Sequence, residues 1–509
     1  MPAKIYSAAN IGLTSHLIEV EADILASNAA FMIVGLGDAA VQEAKERVRS
    51  AIKNSELPFP RTRVVVNLAP ADLKKAGPSF DLPIAVAILA AKNFLTLSLE
   101  DVPALFIGEL SLNGAIKPVN GVLTFAAAMK EWGIARIYLP RENAEEAALI
   151  SGVEIFPIQN LEELVSHLKG QKILTPFSSP KKNAPKTPLA DYYHWSLIKG
   201  QQQAKRALVI AAAGGHNIFL NGPPGSGKTI LAKALAELLP PLSLKESLEV
   251  TKIYSVAGLL PPQQPLITKR PFRSPHHTAS DIALIGGGSF PRPGEITLAH
   301  RGILFLDELP EFPRHVLECL RQPLEDGVIT VSRATNSVQF PASFTLVATA
   351  NPCPCGYAGD LKKECGCTLS QIQRYQKRVS GPLLDRIDLK VEVPRLSSEE
   401  LMGSPQNNND LKNLRKNITQ AHEQQRQRFK KLNIFYNAEM NLKLIEKYCR
   451  LDKESEQFLK QAIVKFQLSG RGFHKILKVS RTIADLAGQE EIKLEHLAEA
   501  LQYRQTIFH

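Results

Sequence analysis

Eight consecutive residues can do chemistry together. Gly222, Pro223, Pro224, Gly225, Ser226, Gly227, Lys228 and Thr229 have the G-x-x-x-x-G-K-T spacing of a phosphate-binding loop. Glycines let backbone N–H groups curl around a β-phosphate, and the N-terminus of a following helix adds positive potential. The lysine ammonium reaches the β/γ oxygens and the threonine hydroxyl faces Mg²⁺. The flanks suit that order: 217–220 reads as a short buried strand and 230–239 as a helix. The spacing implies a nucleoside triphosphate as ligand.

Two further strands end in polar groups. Residues 302–306 run apolar into Asp307 and Glu308, about eighty residues downstream. The expectation is a strand beside the phosphate-loop strand, with Asp307 holding Mg²⁺ through water and Glu308 polarising the attacking water. Residues 344–350 end at Asn351, whose amide can align the same water. Four of the six cysteines form two tight pairs, Cys353 with Cys355 and Cys365 with Cys367, nine residues apart. In a reducing compartment four thiolates can close a tetrahedral Zn²⁺ site, although the spacing is tighter than the common C-x-x-C. Such a metal would stiffen the loop between Asn351 and Arg386, and its removal would cost thermal stability. His276 and His277 suit a hydrogen-bonded structural pair better than a metal site.

These residues need elements to hold them. At 509 residues the chain calls for two to four domains. Residues 1–170 have an α/β texture, with strands at 63–67 and 136–139 and a helix at 82–91. Residues 171–190, rich in Pro, Ser and Lys, read as a solvated linker. Strand, loop and helix alternate over 191–395, which argues a mostly parallel sheet. From 396 to 509 the pattern is helical, after a joint at 406–410. A formal charge of +11 points weakly to a polyanionic partner. No apolar run reaches membrane-span length, and the N-terminus carries no secretion pattern, so a cytoplasmic location is expected.

On these motifs the chain resembles the AAA+ ATPases, in the branch of magnesium-chelatase motor subunits and MCM helicases. It is most similar to the YifB/ComM group, which includes a DNA helicase of natural transformation. The matching stretches are 200–208, 270–278, 299–311, 351–356, 380–388 and 469–474. The resemblance implies an α/β protein: a Lon-protease-like N-terminal domain, an AAA+ parallel-sheet domain and a C-terminal helical lid. It implies ATP with Mg²⁺, and Gly200 and Gln201 flanking the adenine. Arg386 matches an arginine finger acting on a neighbour's γ-phosphate, which requires a ring; a salt bridge to Asp385 or Asp388 is the plain alternative. Arg471 matches the sensor-2 arginine, with Arg481 on the same segment as a rival. Channel-facing hairpins would carry Arg273 and Arg333 to DNA phosphates, the second on a hairpin over 327–340. The partners implied are DNA, five further copies in a homohexamer, and recombination proteins.

Gly77-Pro-Ser79 and residues 108–123 resemble the proteolytic domain of Lon, with Ser79 at the nucleophile. Leu123 occupies the place of the lysine base. A serine without that base cannot form an alkoxide near neutral pH, and Lys74 and Lys75 are not expected to replace it. Three functions follow in order: a hexameric DNA translocase for branch migration in homologous recombination, a chelatase-like motor acting on protein, and a Lon-like protease.

Overall fold

The computed structural model describes residues 2–95, 103–178, 193–261, 264–288, 290–332, 337–360, 362–402, 408–430, 432 and 434–504. They form two compact units that the chain enters more than once. One takes Met1–Pro185, Leu244–Ile267 and Gly287–Pro293; the other takes Lys186–Ser243, Thr268–Gly286 and Gly294–His509.

The first unit is built on a seven-stranded mixed sheet. Its strands are β1 (Ala3–Ile11), β2 (Thr14–Leu25), β3 (Phe31–Val34), β4 (Arg63–Ala69), β5 (Ala104–Phe106), β6 (Arg136–Pro140) and β7 (Glu154–Ile158), in the order β3-β4-β2-β1-β5-β6-β7. In β4 the alternate residues Val64, Val66 and Leu68 are buried, the period-2 signature of a sheet with one face on the core. The helix Asp81–Ala91 is buried from Asp81 through Leu89, so its continuous apolar run belongs to a core helix. Asp81, at its start, is fully buried and is held by Arg47 at 2.7 Å. Leu244–Ala257 follows the phosphate loop in sequence yet packs in this unit against Val122–Ala128. The expected solvated linker is partly structured: the Phe177 N–H donates to the Ile155 carbonyl at 2.7 Å and its ring packs on the core. Residues 179–190 of that linker lie outside the described residues.

The second unit holds a five-stranded parallel sheet. Its strands are β8 (Ile218–Asn221), β9 (Phe272–Arg273), β10 (Ile303–Leu306), β13 (Thr345–Ala350) and β14 (Leu389–Glu392), with the antiparallel pair β11 (Val328–Ser332) and β12 (Ser337–Pro341) outside it. The order is β9-β10-β13-β8-β14. This corrects one expectation. The acidic strand β10 is not beside the phosphate-loop strand β8, because the asparagine strand β13 pairs with both. The residues of β8, β10 and β13 are all buried, as central parallel strands covered on both faces must be.

The helix Gln202–Gly214 explains how the C-terminal helices attach. Ala204, Ala207, Ala211, Ala212 and Ala213 are buried along it, and small side chains let the sheet and the C-terminal helices approach together. The Ala213 carbonyl near its end accepts from Gln425 Nε2 at 2.8 Å, and the Ala212 carbonyl pairs with His422 Nε2 at 2.9 Å. Leu411, Ile418, Ile476 and Leu497 thus share one hydrophobic core with the nucleotide-binding half. Of the expected joint at 406–410, residues 406 and 407 lie outside the described residues and Asn408 already begins the helix Asn408–Arg428. Among the described residues, no helix is long and apolar enough to cross a membrane.

Candidate nucleotide site

The phosphate loop joins β8 to the helix Lys228–Leu238. Gly225 and Gly227 sit at φ +77° and +93°, where a side chain would be strained, and nothing lies within 4 Å of a Cβ placed on either. Gly222 is demanded by packing: its Cβ would fall 2.2 Å from the Val393 carbonyl oxygen. The same segment meets the Gly200-Gln201 turn, since Gln201 Nε2 donates to the Pro394 carbonyl at 2.7 Å. The turn expected at the adenine and the loop expected at the phosphates therefore border one stretch of chain.

Lys228 Nζ donates to the carbonyls of Gly222 (2.6 Å) and Pro223 (3.0 Å) and to Asn351 Oδ1 (3.2 Å). Burial pulls this ammonium down to about 8, against the attraction of Asp307 and Glu308. Thr229 Oγ1 lies 3.3 Å from Asp307 Oδ2, so the two groups expected at Mg²⁺ face each other across 78 residues of sequence. Ser226 Oγ is buried in the loop with no protein partner. A helix N-terminus with an unpaired hydroxyl, a lysine, and a threonine facing a carboxylate fits a triphosphate with its cation.

One working residue was missed in the sequence. Thr349, in the intervening strand β13, donates its hydroxyl to Asp307 Oδ1 and accepts the Glu308 N–H at 3.0 Å. It ties both acids to the strand that delivers Asn351. The available signal was its place two residues before Asn351, on the same face of the strand. Glu308 has φ +54°, a conformation uncommon for a residue with a side chain, immediately after the strand that delivers Asp307.

The candidate arginines converge on a carboxylate that the sequence did not single out. Arg386 Nη2 lies 2.5 Å from Glu325 Oε1, and Arg471 Nη2 lies 3.1 Å from the same oxygen. Arg386 is therefore ion-paired, but with Glu325 and not with Asp385 or Asp388. Asp388 is engaged elsewhere, accepting from the Asn217 N–H at 3.0 Å and pairing with Lys475. The hydrogen bond from Arg386, aided by the charges of Arg471 and Lys475, holds the Glu325 carboxyl below its usual range. Arg481 is buried and bound to Asp485 and the carbonyls of Gln489 and Glu490, whereas the Arg471 side chain is 58% exposed in the first turn of Gly470–Leu486. Of the two rivals for the sensor-2 position, Arg471 is the exposed one and Arg481 the buried one.

The four cysteines meet. Cys353, Cys355, Cys365 and Cys367 bring their sulfurs within 4.8 Å of one another, the one group of potential metal-ligating side chains found among the described residues. All are free thiols. His276 and His277 stack at 4.1 Å between ring centres, and His276 Nδ1 is 2.7 Å from the Thr278 hydroxyl, in keeping with a structural pair.

The arginines expected at DNA fare differently. Arg273 closes a two-pronged ion pair with Glu295 of the same unit, at 2.6 and 2.5 Å. Strands β11 and β12 form the expected hairpin, but Arg333 and the turn residues 334–336 lie outside the described residues. In the first unit Ser79 sits in the turn Pro78–Phe80, and Leu123, at the place of a lysine base, is buried and gives its N–H to Glu146 at 2.8 Å. Lys75 donates to the Pro70 carbonyl and the Lys74 ammonium lies 5.0 Å from the Phe290 ring centre.

Comparison with known proteins covers nearly the whole chain. Residues 194–401 match the family described as magnesium chelatase, subunit ChlI; residues 20–143 match subunit ChlI of Mg-chelatase; residues 409–504 match the ChlI C-terminal family. Competence protein ComM of Haemophilus influenzae is 43% identical, over 99% of this chain and 98% of its own. The uncharacterised protein YifB of Salmonella typhimurium is 42% identical, over 99% and 97%. The magnesium-chelatase 38 kDa subunit of Rhodobacter capsulatus is 27% identical over 43% of this chain and 59% of its own.

Proposed function

Because the chain belongs to the YifB/ComM family of magnesium-chelatase-like AAA+ proteins, we propose that it is an ATP hydrolase that drives DNA. In this reading it works as a homohexamer in the cytoplasm, translocating along or unwinding DNA to promote branch migration in homologous recombination during natural transformation. The observation that carries the ATPase part is the meeting of Lys228 and Thr229 with Asp307 and Asn351 at the mouth of one loop, from three separate places in the sequence. The DNA part rests on full-length similarity to a protein named for competence and on the charge of +11.

Each side chain then has a task. The Gly222–Thr229 loop binds phosphate through backbone N–H groups, and Lys228 exchanges two carbonyl partners for phosphate oxygens. Thr229 and Asp307 hold the cation, which when bound would screen the charge of the β- and γ-phosphates. Glu308 takes a proton from water, and Asn351, tethered to Lys228, orients that water. Arg386 serves a neighbouring subunit and Arg471 its own, once both leave Glu325. The thiol quartet holds structural zinc. A buried leucine in place of a base makes Ser79 part of a non-proteolytic domain.

The test is ATP turnover with and without single-stranded and branched DNA, followed by displacement of a labelled strand, with Lys228→Ala and Glu308→Gln as controls. Light scattering with both ligands reports assembly. Stimulation by DNA with strand displacement is the expected result. DNA-independent turnover without displacement would favour the second reading, a motor acting on protein, for which similarity to a chelatase subunit is the supporting observation.

A further inference from the structure

The thiol quartet stands directly against the nucleotide loop. Zinc–sulfur bonds of about 2.3 Å place the sulfurs of a regular tetrahedron roughly 3.8 Å apart. Cys353, Cys355 and Cys365 have sulfurs 3.3, 3.6 and 3.5 Å from one another. These separations are far beyond a disulfide bond of about 2.05 Å and close to the edge of that tetrahedron. The Ala358 N–H also points at Cys353 Sγ, 3.3 Å away, as backbone donors do around metal thiolates.

What lies beside this knuckle is the catalytic end of β13. Cys353 follows Asn351 by two residues, and Asn351 Oδ1 accepts from Lys228. After the last cysteine, Thr368 caps the helix Leu369–Gln376. Gln376 of that helix reaches back to the Pro352 carbonyl, to which its Nε2 donates at 3.2 Å. Gly356, inside the knuckle, lies against Pro224 of the phosphate loop: a Cβ there would meet Pro224 Cδ at 2.6 Å and Cγ at 2.7 Å. Asn351 and Pro224 are therefore clasped from the knuckle side, and among the described residues between Pro352 and Cys367 the knuckle has no regular secondary structure of its own. Without a cross-link, such a loop has many conformations to choose from.

We propose that a Zn²⁺ ion held by Cys353, Cys355, Cys365 and Cys367 braces the nucleotide site, fixing Asn351 and Pro224 so that metal occupancy raises affinity for ATP. The proposal rests on the zinc reading of the quartet. The four cysteines are ligands and Gly356 is a positioning residue; none of them touches the nucleotide.

The experiment uses the full-length chain. Metal content is measured after purification without added zinc and after exchange into Co²⁺, whose visible bands identify a tetrahedral thiolate site. Affinity for a fluorescent ATP analogue is then measured with the metal in place, after chelation, and after zinc is returned. Chelation should weaken the analogue about tenfold and zinc should restore it, with far-ultraviolet circular dichroism unchanged. Gly356→Ala, which keeps all four thiols, should weaken binding several-fold at full metal content. A chain that neither carries nor takes up zinc or cobalt would overturn the zinc reading and the brace with it. A metal-bearing chain whose affinity changes less than twofold on chelation and in Gly356→Ala would overturn the brace alone. Should chelation unfold the chain, Gly356→Ala decides the matter by itself.

Discussion

Raising the pH from 7.5 to 9.5 should weaken triphosphate binding, and the cause is one ammonium group. Burial brings Lys228 down to about 8 in the free protein, from an ordinary value of 10.5. Its acceptors there are two carbonyls and an amide oxygen, all neutral. A triphosphate replaces them with anionic oxygens, which favour the charged lysine and return it to its ordinary value or above. The sign follows: the complex keeps a proton that the free protein has lost, so binding takes up a proton and affinity falls as pH rises through 8. Linkage gives a fall of about twentyfold over those two pH units, or ~1.8 kcal/mol. The phosphates are already fully ionised over most of that range and contribute little slope. Titration calorimetry in two buffers of different ionisation enthalpy should find about half a proton taken up per nucleotide at pH 8, rising toward one at pH 9.5. Lys228→Met should bind weakly and lose the slope. Affinity that stays level across this range, or a slope that survives Lys228→Met, would refute the reasoning.

Other consequences are sharper for single side chains. Thr349→Val removes the hydroxyl that joins Asp307 to the Glu308 backbone; turnover should fall about 10–100-fold with nucleotide affinity within about threefold, and unchanged turnover would discard that link. Arg481→Ala breaks a buried pair with Asp485 and should cost about 3–5 kcal/mol in urea unfolding, whereas Arg471→Ala should leave stability within about 0.5 kcal/mol and cut turnover. Equal stability loss in both would place the two arginines wrongly. Glu325→Gln loosens the hold on Arg386 and Arg471, so turnover at low protein concentration should match or exceed the parent. Inactivity as deep as that of Arg386→Ala would mean that Glu325 is needed in the working state.

Much of the site was legible because phosphate chemistry is written locally. The loop, its helix and the strands ending at Asp307 and Asn351 are contiguous patterns, and periodicity with turn residues sets them within a residue or two. The cysteine quartet was likewise visible as two pairs. Strand order was not, because buried parallel strands look alike in sequence, and Thr349 gained its role only when β13 came between β8 and β10. Nor was the difference in burial between Arg471 and Arg481, which lie on one helix and differ in what surrounds them.

The amino-acid order by itself determined which groups can meet a triphosphate and which thiols can share a metal, since those depend on residues a few positions apart. Only the folded chain decided that Glu325 would hold two arginines, that Gly356 would press on Pro224, and that the helix Leu244–Ala257 would pack in the first unit. Such contacts join segments far apart in sequence, and their geometry comes from sheet order and side-chain packing, which no local pattern encodes.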